Sequence, residues 1–266
     1  MVSAAAGGEA KIFHPRGPLK GFRNFISRKH FCMISRLADL GHDVLSLFYP
    51  SLCQACGHLL RRGEEVICTG CQLALPQTHY HEEKNNAMEK HFWGRVEIFR
   101  ASSFYFFQKG GRIQHLIHQL KYRGKTEVGV KLGIMYGNQL HDDHDFHTAT
   151  LLLPVPLHPS KELQRGYNQA DLFCEGLAKT MEVPWMKGVL KRSRFTETQT
   201  HKSRFERWDN VGNVFEIAQP QAIEGKHVLL CDDVITTGST LEACARAILA
   251  VAGTTVSIAT IACAVK

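Results

Sequence analysis

What this chain of 266 residues lacks narrows its class first. No run approaches the ~20 consecutive apolar residues of a membrane-spanning helix, so no span is expected. Met1 to Ala10 lack the charged-then-apolar order of a secretory signal. The expectation is a cytoplasmic protein, and its nine cysteines are then not a disulfide framework. Charge of one sign is also scarce in the body of the chain. The formal net charge is +7, and residues 1–50 alone hold seven cations against three acids. An excess gathered there is weak evidence for nucleic-acid binding by the remainder. Hydrophobic residues make up 44%, ample for one large core or two smaller ones.

The most informative stretch runs from Val228 to Thr240. Val228-Leu229-Leu230 is an apolar run after the turn-like Glu224-Gly225-Lys226, the mark of a buried parallel strand. Asp232 and Asp233 stand where that strand should end, with the site beyond strand 228–231. Thr236-Thr237-Gly238-Ser239-Thr240 follows, and Leu241, Cys244, Ala245 and Ile248 have helical spacing. Ligands of parallel sheets bind beyond the carboxyl ends of strands. A small-residue loop opening a helix aims backbone N–H groups and the helix dipole at an anion. Two carboxylates do not serve a phosphate directly; they suit sugar hydroxyls or a hydrated magnesium ion. The stretch has no Gly-Lys-Ser/Thr and is not a Walker loop. It resembles the phosphoribosyl-pyrophosphate (PRPP) signature of type I phosphoribosyltransferases.

A second pattern lies upstream. Cys53-Gln-Ala-Cys56 and Cys68-Thr-Gly-Cys71 are separated by eleven residues. Two such knuckles place four thiolates around one zinc ion. A closed set of four leaves no open coordination position, so the zinc would be structural, and a segment this small would depend on it to fold.

Taken in order, residues 1–32 have no clear period and read as a flexible leader; a basic arm or a transit peptide is the alternative. Residues 33–76 read as a helix plus a double zinc-ribbon-like module. Residues 77–92 are polar, and His79, His81 and His91 read as parts of a solvated segment. Val96 to Phe107 is β-branched and aromatic, with strands and a hairpin edge expected. Ile113, Leu116, Ile117 and Leu120 mark an amphipathic helix. Lys121-Tyr122-Arg123-Gly124-Lys125 is either an anion site or a helix end with favourable charges. A second helix covers about Val128 to Leu140. The segment His141 to His147 reads as a solvated connection.

Leu151 to Pro156 is the first strand of a nucleotide-type core, its prolines placing its end at a topological edge. The loop after it carries His158, Lys161 and Arg165, a place for a pyrophosphate. Gln169 to Met181 forms a helix, Trp185 to Leu190 a strand. Lys191 to Asn210 is a long cationic loop suited to closing over an anionic ligand. Val214 to Ile217 and Val256 to Ala264 complete the strands.

Several further marks add to the signature: Leu120-Lys121-Tyr122-Arg123, Pro154-Val155-Pro156-Leu157-His158-Pro159, Arg165-Gly166-Tyr167-Asn168-Gln169, Thr198-Gln199 and Arg207-x-x-Asn210-Val211. With the paired cysteines, residues 33–266 resemble the ComF family. The resemblance implies an α/β, type I phosphoribosyltransferase-like parallel sheet flanked by helices over residues 95–266, with a small N-terminal four-cysteine zinc module. It implies PRPP and magnesium as ligands, and a link to DNA uptake in natural transformation. Two functions follow. In the first, a glycosyltransferase displaces pyrophosphate from PRPP. Asp232 and Asp233 hold the ribose hydroxyls, Thr236, Thr237, Gly238, Ser239 and Thr240 the 5′-phosphate, and His158, Lys161 or Arg165 the pyrophosphate, with Lys202 and Arg204 closing over it. In the second, a non-catalytic competence factor uses the same cradle for PRPP or a 5′-phosphate while binding single-stranded DNA.

Overall fold

The computed structural model describes residues 11–13, 50–192 and 214–264, the first three by backbone alone. They fall into two compact units: residues 50–74, and residues 11–13 with 75–192 and 214–264. Within the leader expected at 1–32, Lys11–Phe13 is the part described, and the helix expected after Met33 lies outside the described residues.

The larger unit is built on a six-stranded sheet. Its strands are β1 (Lys11–Phe13), β2 (Arg100–Phe106), β3 (Leu151–Pro154), β4 (Trp185–Lys187), β7 (His227–Ile235) and β8 (Thr255–Cys263), in the order β1-β4-β3-β7-β8-β2. Five of them are parallel; β1 pairs antiparallel with β4 at one edge. Short strands β5 (Leu190–Arg192) and β6 (Phe215–Ile217) make a separate antiparallel pair. The α/β class and the parallel sheet are those expected.

Helices α3 (Arg112–Tyr122), α4 (Thr126–Asp142), α6 (Gln169–Met181) and α7 (Ser239–Leu249) pack around this sheet, with the shorter α2 (Ala87–Lys90) and α5 (Pro159–Arg165). The central strands are largely buried on both faces: β3 and the first half of β7 are apolar runs, and β8 buries Ser257 and Thr260 among its apolar residues. On α4, glycines recur at every fourth position: Gly129, Gly133 and Gly137. A methyl on Gly133 would lie 2.8 Å from Gly176 Cα of α6, and one on Gly129 would meet Leu172 Cβ at 2.8 Å and Leu120 Cδ1 of α3 at 3.2 Å. The glycine row lets three helices lock at close range.

A buried ion cluster fastens the segment before β2. Arg100, 5% exposed, pairs with Glu89 at 2.6 Å and with Asp145, and donates to the carbonyls of His81 and Glu83 at 2.9 Å each. Its guanidinium also lies over the Phe146 ring. Asp145 therefore belongs to the core, although its segment reads as a solvated connection. His81 is buried too, against the solvated reading, while His79 is exposed beside Glu82.

Other elements depart from expectation. β2 is a single strand parallel to β8, with no hairpin. Phe104 and Tyr105 on it are buried core residues. Trp185 to Leu190 is two strands, β4 and β5, parted at Gly188, whose φ of +83° suits glycine. β3 sits between β4 and β7 and ends at Pro154, the first of the prolines, two residues short of the expected Pro156, where its ladder with β7 stops.

The smaller unit is a knuckle pair closed by α1 (Thr69–Ala74). Gly57 N–H donates to Cys53 O, Cys71 N–H to Cys68 O, and Leu52 bridges Leu59. Glu64 accepts from the backbone N–H groups of Arg61 and Thr69 at 2.8 Å each, fixing the loop between the knuckles.

Candidate functional site

β7 outruns β3. The ladder between them stops at the pair Pro154–Cys231, with Val155 N–H donating to Cys231 O at 2.9 Å. β7 continues beside β8 alone through Asp232, Asp233, Val234 and Ile235, with Asp232 opposite Thr260. The strand thus runs four residues past the expected end, since β8 supplies pairing that the sequence of β7 does not reveal. Both acids lie within the strand, past the end of β3. This is also where the connections part: the chain leaves β3 toward β4 and leaves β7 toward β8. Such a switch point in a parallel sheet is where ligands bind.

The two acids differ. Asp233 pairs with Lys121 Nζ at 2.8 Å through Oδ2 and 3.0 Å through Oδ1. Asp232 accepts the N–H of Asp233 at 2.8 Å. Burial, then the neighbouring Asp233 carboxylate, pushes the Asp232 carboxyl up to about 8. One is paired with a cation; the other, shielded and beside a like charge, is held well above the usual carboxylate range.

Thr236 and Thr237 follow, exposed, and Gly238 caps α7 at φ +70°. Thr237 and Ser239 share a hydroxyl contact of 3.1 Å. The first N–H groups of α7 have no partner within the helix, as at any helix start. The loop is held by two side chains, one of which, His91, belongs to the segment expected to face solvent. His91 Nε2 donates to Thr237 O at 2.7 Å, and Arg95 Nη1 donates to the same oxygen at 3.2 Å. Arg95 Nη2 pairs with Glu242 of α7 at 2.6 Å.

Among the cations expected at the pyrophosphate, His158 caps α5, its Nδ1 accepting from Ser160 N–H at 3.3 Å. Lys161 is exposed on α5. Arg165 donates to Gln169 at 2.7 Å and lies over the Tyr122 ring. Tyr167 donates its hydroxyl to Leu120 O and Asn168 its amide to Val155 O. These contacts bind Arg165–Gln169 to both the end of α3 and the end of β3. Lys121, left between two readings by the sequence, is the residue that joins α3 to the acids. Lys202, Arg204, Thr198, Gln199, Arg207, Asn210 and Val211 lie outside the described residues.

In the smaller unit the sulfur atoms of Cys53, Cys56, Cys68 and Cys71 all lie within 4.8 Å of one another. Among the described residues they form the only group of this kind. Cys56 Sγ and Cys68 Sγ are 3.8 Å apart. Four sulfurs at ~2.3 Å from a tetrahedral zinc are about 3.8 Å from each other. Cys68 N–H donates to Cys53 Sγ at 3.3 Å. Burial works against the Cys53 thiolate, yet backbone donors from Cys68, Ala55 and Cys56 lower its thiol to about 7. The donor set fits a closed structural zinc site. The His141–His147 tract contributes no such group.

A phosphoribosyl transferase domain family matches residues 170–264, which span α6 to the end of β8. A DNA utilization protein YhgH of Shigella flexneri is 30% identical over 230 residues, covering 80% of this chain and 96% of its own. Competence protein F of Haemophilus influenzae is 27% identical, over 73% of this chain and 89% of its own. Competence protein ComFC of Bacillus subtilis is 27% identical, over 52% and 53%. No helix among the described residues is long and apolar enough to cross a membrane. The sheet and flanking helices carry the type I phosphoribosyltransferase fold, the four cysteines fit its N-terminal zinc module, and near-full-length similarity joins them: this chain belongs to the ComF family, competence-related proteins with a phosphoribosyltransferase-like domain.

Proposed function

We propose that this protein binds PRPP with magnesium at the carboxyl end of β7 and transfers the phosphoribosyl group to an acceptor. One observation carries the reading: two adjacent acids, one of them paired with Lys121, stand at the switch point of the sheet, directly before a glycine-capped helix start. Backbone N–H groups of Thr236 to Thr240 and their hydroxyls hold the 5′-phosphate. Asp233 accepts from a ribose hydroxyl, and Asp232 donates or accepts beside it. Oxygen donors alone suit a hard cation that keeps its waters. Magnesium bound with PRPP supplies charge neutralisation for the departing pyrophosphate. His158, Lys161 and Arg165 line the approach after β3, and Lys202 and Arg204 close over the leaving group. The gain over water is positional and electrostatic. Asp232, Asp233, Lys202 and Arg204 are the residues on which turnover depends.

The competence names of the relatives favour a second reading, in which the cradle senses PRPP or a 5′-phosphate while the chain handles single-stranded DNA without turnover. Calorimetric titration of PRPP and of inorganic phosphate, with and without magnesium, tests the shared binding step. In Asp232→Asn/Asp233→Asn, PRPP affinity should fall far more than phosphate affinity, because each lost charge-assisted contact costs about 1.5–3 kcal/mol. Equal PRPP affinity in parent and variant would remove the acids from the ligand. Pyrophosphate release with candidate acceptors, against salt-dependent oligonucleotide binding, separates enzyme from binder.

A further inference from the structure

The segment between the cysteine unit and β2 has no role in the reading above, yet two of its side chains converge on one atom of the anion loop. His91 Nε2 and Arg95 Nη1 both donate to Thr237 O, at 2.7 and 3.2 Å. Arg95 is itself anchored on Glu242 at 2.6 Å, and Arg246 of α7 holds both Glu242, at 3.0 Å, and the Arg95 carbonyl. The His91 ring also occupies the space beside Gly238, where an added methyl would lie 2.8 Å from Cδ2 and 3.0 Å from Nε2.

We infer that His91 and Arg95 are positioning residues that lock the Thr237–Gly238 peptide against flipping, so that the anion loop presents an N–H rather than a C=O to its ligand. The inference rests on the anion-site reading of this loop. In a planar trans peptide the C=O and N–H point in opposite directions. Fastening Thr237 O on the His91 side therefore turns Gly238 N–H to the other side. Without the two donors, rotation about the bonds flanking the peptide is inexpensive, because glycine adopts both signs of φ readily. A flipped peptide would aim a carbonyl oxygen at a phosphate and repel it. One donor is charged and ion-paired and the other is an imidazole N–H, which donates in the neutral Nε2–H tautomer as well as when protonated. The lock therefore does not need the imidazolium.

The test uses the full chain. Inorganic phosphate and PRPP are titrated into the parent and into His91→Ala, Arg95→Met and His91→Gln. The alanine and methionine variants should lose about ten-fold or more in affinity for both ligands, the loss expected for one hydrogen bond to a charged group. His91→Gln keeps a donor of similar reach and should recover most of it, which a purely structural role for the ring would not produce. Affinities equal to the parent in both losing variants overturn the inference. If the parent binds neither ligand, the functional reading itself fails, and amide exchange and the nitrogen shift at Gly238 then judge the lock alone. An unchanged Gly238 amide in His91→Ala/Arg95→Met overturns it; a changed one restored by His91→Gln supports it. Should the double variant not fold, the same readout is taken from each single variant.

Discussion

Lys121 Nζ lies 2.8 Å from Asp233 Oδ2, across 112 residues of chain, and ties the end of α3 to the last third of β7. The pair is mostly shielded, with side-chain exposures of 21% and 13%. Removing the cation leaves a carboxylate beside the Asp232 carboxyl with no counter-charge. Lys121→Met should destabilise the protein by about 1–3 kcal/mol in denaturant titrations, between the values for surface and buried pairs. Adding Asp233→Asn should recover part of that loss. A double-mutant cycle with no coupling between the two sites would show the contact to be energetically idle.

The Asp232 carboxyl sets a pH dependence whose sign is fixed. Its folded value of about 8 lies above the ordinary 3.8. Between those values the folded chain holds a proton that the unfolded chain has released. Stability from this group is therefore full below about pH 4 and declines as pH rises toward 8. Asp232→Asn should flatten that decline, so parent and variant diverge most near pH 8. Parallel stability profiles across pH 5 to 8 would place the Asp232 proton elsewhere.

The cysteine unit should carry one zinc ion per chain. Cys68→Ser, or a strong chelator, should release the metal and strip the amides of residues 50–74 of exchange protection, since a unit this small depends on its metal. Retained protection after complete zinc removal would refute a structural role.

Arg100 should be among the costliest residues to replace. Arg100→Met leaves the buried Glu89 without its cation and Asp145 with the exposed Lys84 alone, which costs about 3–5 kcal/mol. A loss below about 1 kcal/mol would mean that water reaches both acids.

The parts of the fold visible in the sequence are those governed by local pattern. Arg112–Tyr122 is a helix from the spacing of Ile113, Leu116, Ile117 and Leu120, and the paired cysteines announce their own geometry. What stayed hidden depends on a distant neighbour. The length of β7 is set by β8, residue for residue to Cys263. The burial of His81 and Asp145 is set by Arg100, and nothing in a polar segment marks which of its residues a cation will gather inward. His91 and Arg95 act on a carbonyl more than 140 residues away, through contacts that leave no periodicity. One signal was present and unread: glycine at 129, 133 and 137 is a close-packing pattern in plain sight.

That glycine row makes α3, α4 and α6 a single mechanical block. Leu120, which abuts Gly129, is the residue before Lys121, and α6 begins directly after Asn168. A bulky side chain at Gly129 or Gly133 would wedge the block open and draw the lysine off its aspartate. Such a lesion would read in a titration as a defect of the ligand pocket, although the altered residue never approaches the ligand. Screens that sort variants by lost binding would then gather two populations, contact residues and spacers. Thermal stability alone would not separate them, whereas the Lys121–Asp233 coupling would: intact in variants of contact residues other than Asp233 itself, abolished in the spacers.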